Sequence, residues 1–168
     1  MRKLFYMLLM MGCLVGAACG AEAPEAFRGI KWGTHLKNIP GMVFDSGEAR
    51  LKTYTRENDK MAVGAAPLES VLYNFLDDRF VGAVLICQNG TPKETLMALF
   101  QKLYGKPMTM DGFPNSSIWV FEKDKVPTFF ITADPFLING LDLYRFAYYT
   151  PEGIEYIANL QKSGANDL

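Results

Sequence analysis

Histidine is almost missing from this 168-residue chain, in which His35 is the only one. A Ser-His-Asp triad has no other base to use, and a zinc site with two histidine ligands is excluded. The chain also lacks a G-x-S-x-G nucleophile elbow, a phosphate-binding G-x-x-x-x-G-K-[ST] loop and a calcium loop of alternating carboxylates. The sequence therefore favours a protein that is not an enzyme, with no catalytic residue, metal ligand or cofactor assigned.

Cysteine is scarce as well, because only Cys13, Cys19 and Cys87 occur. The first two lie in the N-terminal segment, which leaves Cys87 alone in the body of the chain. A protein destined for an oxidising compartment would then contain no internal disulfide, so side-chain packing must stabilise it.

The N-terminal segment has the pattern of a secretory signal peptide. Arg2 and Lys3 precede an apolar run without charges from Leu4 to Val15, and small residues follow up to Ala21. This run is short and weak for a transmembrane helix, which needs ~20 apolar residues. We predict a signal peptide over residues 1–21, and hence export to the periplasm of a bacterium.

The end of this segment can be processed either by signal peptidase cleavage or by lipidation. Cleavage after Ala21 places small residues at the positions that signal peptidase reads, whereas cleavage after Ala23 would leave Pro24 directly beyond the cut. A lipoprotein is the other alternative, because the small residues 16–18 precede Cys19, which would then accept the lipid. A membrane partner is expected only if Cys19 is lipidated.

Charge and length bound the remaining possibilities. The chain has a net charge of −1, and removal of the signal peptide takes away Arg2 and Lys3 and leaves −3. An acidic balance argues against nucleic acid and against anionic membrane as partners. The remaining length suits one domain. We expect a spacer over 22–26, a single α+β domain over 27–162 and a frayed tail over 163–168.

Short stretches of alternating apolar residues predict a sheet of antiparallel strands. The stretch Phe80–Cys87 is apolar at nearly every position, which is typical of a central strand covered on both faces. Thr34 is expected to cap a helical turn, and Asp134-Pro135 is expected to open a loop. Phe27–Thr34 is expected to form a short strand and a turn. The other predicted strand segments are Met42–Asp45, Arg50–Thr55, Met61–Gly64, Val71–Leu76, Phe80–Cys87, Ser117–Phe121, Val126–Ala133 and Leu141–Tyr149.

Two amphipathic helices are predicted. Apolar residues recur at three-and-four spacing over Thr91–Tyr104, where Thr91 and Glu94 match a capping box. Thr150-Pro151 has a similar start and leads into a helix through Ala158. Strands with two separate helices indicate an α+β fold, in which both helices pack on an antiparallel, meander-like sheet.

Cys87 and His35 form the sharpest catalytic hypothesis, since a thiolate paired with an imidazole would be a nucleophile. The competing interpretation is structural, and the sequence favours it. Cys87 ends an apolar strand as a small hydrophobic residue, and His35 lies in a surface turn beside Lys37.

Charged residues offer two weaker hypotheses. Asp77-Asp78 could bind a cation, although adjacent acids before Arg79 are typical of a solvated turn. Asp142 and Arg145 lie three apart in one strand and therefore on opposite faces, so they are not expected to pair with each other. A solvated or edge position is favoured for both.

Aromatic residues crowd the C-terminal third of the chain. If Tyr144 and Tyr148 face outward with Phe146 between them, they could form a platform for sugar rings or for an apolar patch of a partner. The favoured interpretation is that the helices cover this face as core. The residues concerned are Phe129, Phe130, Phe136, Tyr144, Phe146, Tyr148 and Tyr149.

Three segments resemble a pattern in an uncharacterised family of small exported bacterial proteins. They are the frame F-R-G-I-x-W-G-T over Phe27–Thr34, the hairpin over Val71–Cys87 and the helix that closes in Y-G-K-P over Tyr104–Pro107. The resemblance spans most of the chain after the signal peptide. It implies export and a compact domain, and it implies no catalytic or binding residue.

The sequence thus predicts an exported, non-enzymatic domain of the bacterial envelope. It would bind an envelope protein or a small ligand through an exposed sheet face or edge. Two alternatives stay open. One is a small cofactor-independent hydrolase that uses Cys87 or a carboxylate, and the other is a lipid-anchored accessory protein of envelope assembly that carries lipid on Cys19.

Overall fold

Antiparallel strands dominate the computed structural model, which describes residues 22–110 and 113–164. The predicted signal peptide with Cys19, and residues 165–168 of the predicted tail, lie outside the described residues. The helices in the described part are α1 (Thr91–Tyr104) and α2 (Pro151–Gly164), and a 3₁₀ turn spans Leu36–Asn38. The strands are β1 (Ala26–Phe27), β2 (Ile30–Lys31), β3 (Met42–Glu48), β4 (Leu51–Arg56), β5 (Ala62–Val63), β6 (Ala66–Pro67), β7 (Ser70–Leu76), β8 (Arg79–Gln88), β9 (Met108–Met110), β10 (Phe113–Lys123), β11 (Val126–Ile138) and β12 (Leu141–Tyr149).

Eight of these strands form one antiparallel sheet in the order β3-β4-β7-β8-β12-β11-β10-β9. Strands β9 to β12 form one half as a meander, β3, β4, β7 and β8 form the other with the β5–β6 hairpin inserted between β4 and β7, and the β8–β12 pairing joins the halves. β1 and β2 form one small hairpin outside this sheet, and β5 and β6 form another. The predicted α+β fold with an antiparallel sheet and two helices is confirmed.

Helix α1 covers one face of the sheet and closes the main core. Because β-strand residues alternate between faces, Tyr144, Phe146 and Tyr148 of β12 point to the same side. Phe100 of α1 packs there, with its ring 4.7 Å from the Phe146 ring and 5.7 Å from the Tyr148 ring. Burial of apolar surface is the dominant favourable term in folding, so the packing of α1 on this face of the sheet contributes strongly to stability.

Helix α2 packs on the opposite face, against β8, β11 and β12. Thr150 caps it, because the N–H of Gly153 donates to the Thr150 hydroxyl at 3.3 Å. The predicted Thr150-Pro151 helix start is therefore confirmed. A smaller set of buried apolar residues lies apart from the main core, and it comprises Val81, Val84, Ile118, Phe130, Leu143 and Ala147.

The predicted capping box at Thr91 is wrong. Gly90, with a φ of 107°, is the N-cap residue of α1, and the N–H of Glu94 donates to its carbonyl at 2.9 Å. Thr91 is already helical, and its carbonyl accepts from the Thr95 hydroxyl at 2.8 Å. The freedom of glycine at positive φ lets the helix begin one residue earlier than the side-chain pattern predicts.

The predicted cap at Thr34 is also wrong, because His35 takes that position. The imidazole Nδ1 of His35 accepts from the N–H of Lys37 at 3.4 Å. Thr34 is held by backbone pairing instead, and its carbonyl accepts from the N–H of Phe80 at 3.0 Å.

Strand β11 contradicts the predicted loop at Asp134-Pro135, because it continues to Ile138. Pro135 pairs with Tyr144 of β12, whereas the last β10 partner of β11 is Ser117, opposite Ala133. Pro135 thus lies where one side of β11 has become an edge, the position in a sheet that tolerates proline.

Candidate binding cleft

The frame F-R-G-I-x-W-G-T folds as the β1–β2 hairpin, which clamps the N-terminal part of the chain to the core. Arg28 and Gly29 form its turn with φ values of 49° and 80°. The Phe27 ring lies 5.2 Å from the Tyr148 ring. Trp32 stacks on Phe80 at 4.8 Å, so the frame presents an indole at one end of the sheet.

A half-buried ionic cluster holds this hairpin in place, and no local sequence pattern predicts it. Arg28 forms an ion pair with Asp59, and their side chains are only 18% and 10% exposed. The buried Tyr73 hydroxyl donates to the other Asp59 oxygen at 2.7 Å. Burial, together with the bond to Asp59, raises the pKa of Tyr73 above its ordinary value. The phenol therefore stays protonated and keeps its bond to Asp59.

A cleft of about 720 Å³ opens where Trp32, the β7–β8 turn and the first turns of α2 meet. Its sheet wall includes Arg50 and Arg79, and its helix wall includes Glu152, Glu155 and Tyr156. The cleft combines aromatic surface with side chains of both charges, and its volume is within the range of small-ligand sites, roughly 300–1,000 Å³.

The two walls of the cleft differ in their charges. Nε of Arg50 donates to Asp77 at 2.9 Å, and its guanidinium lies 5.5 Å from the centre of the Tyr156 ring. The hydrogen bond that Arg50 donates to Asp77 lowers the pKa of Asp77, and the same bond raises the pKa of Arg50. Within the described residues, no ion pair engages Glu152 or Glu155. The helix wall is therefore acidic, whereas the charges of the sheet wall are partly paired.

The predicted turn at Asp77-Asp78 directs both carboxylates toward cations of the chain itself. Asp77 pairs with Arg50, and Asp78 lies 3.8 Å from Nζ of Lys52. Over 22–110 and 113–164, no group of three or more His, Cys, Asp or Glu side chains is arranged to hold a metal ion. The solvated-turn interpretation describes this hairpin better than a cation site does.

Cys87 and His35 do not meet. His35 bridges to Arg79 at the start of β8, whereas Cys87 lies near the end of that strand. Eight residues of extended chain separate these levels by ~26 Å. The thiolate–imidazole pair is therefore excluded.

Cys87 itself is fully buried in the main core beside Tyr144. Burial, with a smaller contribution from Glu69, raises the pKa of the Cys87 thiol to about 11. Since the unfolded thiol ionises near 9, the proton binds more tightly in the folded state. Folding therefore loses stability as the pH rises from about 9 to 11.

We expect Cys87 to resist alkylation by iodoacetamide in the folded protein at pH 8. Labelling of the Cys87 peptide, followed by mass spectrometry, should be at least ~100-fold slower than in the unfolded chain, because the thiol is neutral and enclosed. A Leu103→Cys variant, exposed on α1, is the matched reference. Similar rates for Cys87 and for this reference thiol would contradict the burial described above.

Asp142 and Arg145 also separate as predicted. Nη2 of Arg145 lies 2.7 Å from a carboxylate oxygen of Asp134, and Asp142 accepts from Nδ2 of Asn89 at 2.9 Å. Both residues are exposed, which agrees with the predicted solvated or edge position, although β12 itself lies in the middle of the sheet between β8 and β11.

The aromatic platform is wrong and the core interpretation is confirmed. Tyr144, Phe146 and Tyr148 are all buried under α1. The Tyr144 hydroxyl donates to the backbone carbonyl of Asn115 at 2.9 Å, so even its polar end is engaged.

Gly153 fixes the helix wall of the cleft. A Cβ at this position would lie 2.9 Å from the Val81 carbonyl oxygen and 3.2 Å from the Val81 Cβ, closer than unstrained contacts allow. We expect Gly153→Ala to displace α2 and to lower the free energy of unfolding by about 1–2 kcal/mol, despite the higher helix propensity of alanine. Urea unfolding measures this. Asn159→Ala, on the exposed surface of the same helix, is the control, and equal stabilities would contradict the close contact.

No protein-family model, curated protein or solved structure matches the chain. No helix in the described ranges is long and apolar enough to cross a membrane. The function is therefore inferred from the cleft and from the sequence pattern of the N-terminal segment.

Proposed function

We propose that this protein is an exported, non-enzymatic binding domain of the bacterial envelope and that its ligand lies in the cleft between Trp32 and α2. The observation that carries the proposal is the cleft itself, where an acidic helix wall faces a sheet wall that contains two guanidinium groups. Ligand sites typically combine apolar surface with a few convergent polar groups.

The ligand is a small polar molecule with both a positive and a negative group. Its cation would face Glu152 and Glu155, which have water as their alternative partner. Its anion would face Arg79, whose Nη1 donates to the Gly33 carbonyl at 3.1 Å and leaves other N–H groups for a ligand. Amino acids and short peptides have this chemistry.

The sequence pattern of the N-terminal segment supports a periplasmic location for this binding domain. The basic start and uncharged apolar run of residues 1–21 have the pattern of a signal peptide. The resemblance to small exported bacterial proteins agrees with it. The hydrolase alternative loses its thiol, because Cys87 is enclosed in the core and far from His35, and keeps only a carboxylate as its working group.

Mass spectrometry of the protein recovered from a bacterial envelope tests export. We expect a mature N-terminus at Glu22. An acylated Cys19 would instead establish the lipid-anchored accessory protein, and an intact Met1 would contradict export.

Binding is tested by titrating free amino acids and dipeptides while amide chemical shifts are recorded. We expect shifts around Trp32 and the first turns of α2, and Glu155→Gln should weaken binding about tenfold by removal of a charged hydrogen bond. Glu94→Gln, an exposed acid on α1, is the matched control. If no member of this panel shifts the cleft residues, or if both variants bind alike, the cleft proposal fails.

A further inference from the structure

The chain contains two asparagine–glycine pairs, Asn89-Gly90 and Asn139-Gly140, and the fold places them in different surroundings. Asparagine before glycine can react with its own backbone, because the glycine nitrogen reaches the asparagine side-chain amide without hindrance from a Cβ. The nucleophile and the amide belong to neighbouring residues, so the attack is intramolecular and depends on their mutual geometry. The hydrogen bonds and the freedom of each pair therefore decide whether it reacts.

Hydrogen bonds hold both the backbone and the side chain of Asn89. Its backbone N–H donates to the Asp142 carbonyl at 3.2 Å, and its Nδ2 donates to the Asp142 carboxylate at 2.9 Å. Its Oδ1 accepts from the N–H of Gly90 at 3.1 Å, so the attacking nitrogen is engaged as well. The carbonyl of Gly90 accepts the N–H of Glu94 as α1 begins. Attack at this pair requires several of these bonds to break.

Asn139 and Gly140 lie in the open. They form the two-residue turn of the β11–β12 hairpin, with φ values of 51° and 79°, and both are exposed. In the part of the chain that the structure describes, no hydrogen bond engages the Asn139 side chain or the N–H of Gly140. A Cβ at Gly140 would meet no atom within 4 Å beyond its chain neighbours. Both reacting groups are therefore accessible to water and to each other.

The turn at Asn139 can also change its conformation at little cost. Ring closure requires the Asn139 backbone to rotate away from the left-handed conformation that an Asn-Gly hairpin turn uses. The pairing of β11 with β12 ends at Ile138 and Leu141, and the ends of paired segments open with a small free energy. Asn89, in contrast, lies between the β8–β12 pairing and the first turn of α1.

We propose that Asn139-Gly140 is a site of spontaneous deamidation and that the fold protects Asn89-Gly90. The lone pair of the Gly140 nitrogen forms a bond to Cγ of Asn139. The Cγ–Nδ2 bond breaks, and the amide nitrogen leaves as ammonia with the proton that Gly140 gives up. Water then opens the resulting succinimide at either carbonyl, which yields aspartate or isoaspartate. Water is the only other reactant.

The reaction adds a charge to a part of the hairpin that has none. Residues 135–141 contain no charged side chain, and the aliphatic side chains beside the turn are exposed. Deamidation places a carboxylate among them. Isoaspartate also adds a methylene to the backbone of a turn whose length fixes the register of the hairpin. The protein therefore acquires charge forms with age, at one position that is remote from the cleft beside Thr150.

Peptide mapping by mass spectrometry tests the proposal on the chain as recovered from an expressing bacterium. The folded protein is incubated in mildly alkaline buffer, and the conversion of each asparagine to aspartate and isoaspartate is followed with time. We expect Asn139 to convert at least about tenfold faster than Asn89, because the bonds at Asn89 raise the barrier to attack. In the urea-unfolded chain the two pairs should convert at similar rates. Equal rates in the folded protein, or faster conversion of Asn89, would overturn the proposal.

Anion-exchange chromatography gives a second readout, in which the aged protein should show a new acidic form. This form should be missing in Asn139→Gly, because glycine keeps the positive φ of the turn and carries no amide. It should persist in Asn89→Ser, the matched control at the other pair. An acidic form that persists in Asn139→Gly, or that disappears in Asn89→Ser, would assign the reaction to another asparagine.

Discussion

Phe100→Ala is expected to lower the free energy of unfolding by about 3–5 kcal/mol, a large part of the ~5–15 kcal/mol that stabilises a typical domain. Phe100 is fully buried, and its ring contacts four other rings of the main core. Truncation to alanine removes these contacts and leaves a cavity that rigid neighbouring strands cannot fill.

Urea unfolding followed by circular dichroism measures this change. Leu103→Ala is the matched control, because Leu103 lies on the same helix but is more than half exposed. Its truncation should change stability by no more than ~0.5 kcal/mol. Similar losses in the two variants would contradict the conclusion that the burial of Phe100 in the main core stabilises the fold, because alanine favours the helix at both positions.

Asp59→Ala should be the next most damaging change, with an expected loss of about 3 kcal/mol, the lower end of the range for buried ion pairs, because this pair is only half-buried. The change leaves the half-buried guanidinium of Arg28 without its carboxylate and removes the acceptor of the Tyr73 hydroxyl. An unpaired buried charge costs far more than the net contribution of the intact pair. The β1–β2 hairpin, and Trp32 with it, should therefore loosen.

The exposed Arg50 and Asp77 pair provides the comparison, since its side chains are 61% and 52% exposed. Asp77→Asn should leave the urea midpoint unchanged within experimental error, because water already screens this pair and asparagine tolerates the positive φ of 48° at this turn position. Adding Arg28→Ala to Asp59→Ala should recover part of the loss. If the single variants at 59 and 77 proved equally stable, the Asp59 cluster would be superficial.

Local sequence patterns predicted the helices and strands of this fold well, but they did not predict contacts between distant segments. The spacing of apolar residues identified α1, and the threonine before Pro151 identified the start of α2. The same reasoning failed at Thr91, because a glycine with positive φ begins the helix there. It also failed at Pro135, where tolerance for proline depends on where β10 stops pairing.

The cleft shows the same limit more clearly. Their residue types made Cys87 and His35 a candidate catalytic pair, yet the fold separates them along β8. Arg50, Glu155 and Trp32 were not grouped by any motif, because they converge only when α2 packs beside the β7–β8 turn. The half-buried Arg28 and Asp59 pair spans 31 residues of sequence and has no local signature.

The β8–β12 pairing also determines when the domain can be completed. Each half of the sheet is assembled from strands that follow one another closely, so its contacts are local. The β8–β12 pairing that joins the halves brings together distant parts of the chain, since Leu143 pairs with Gln88 and Tyr149 with Gly82. Contacts between distant segments form slowly. We therefore expect closure of the sheet between β8 and β12 to be a late step of folding, after each half has formed its own contacts.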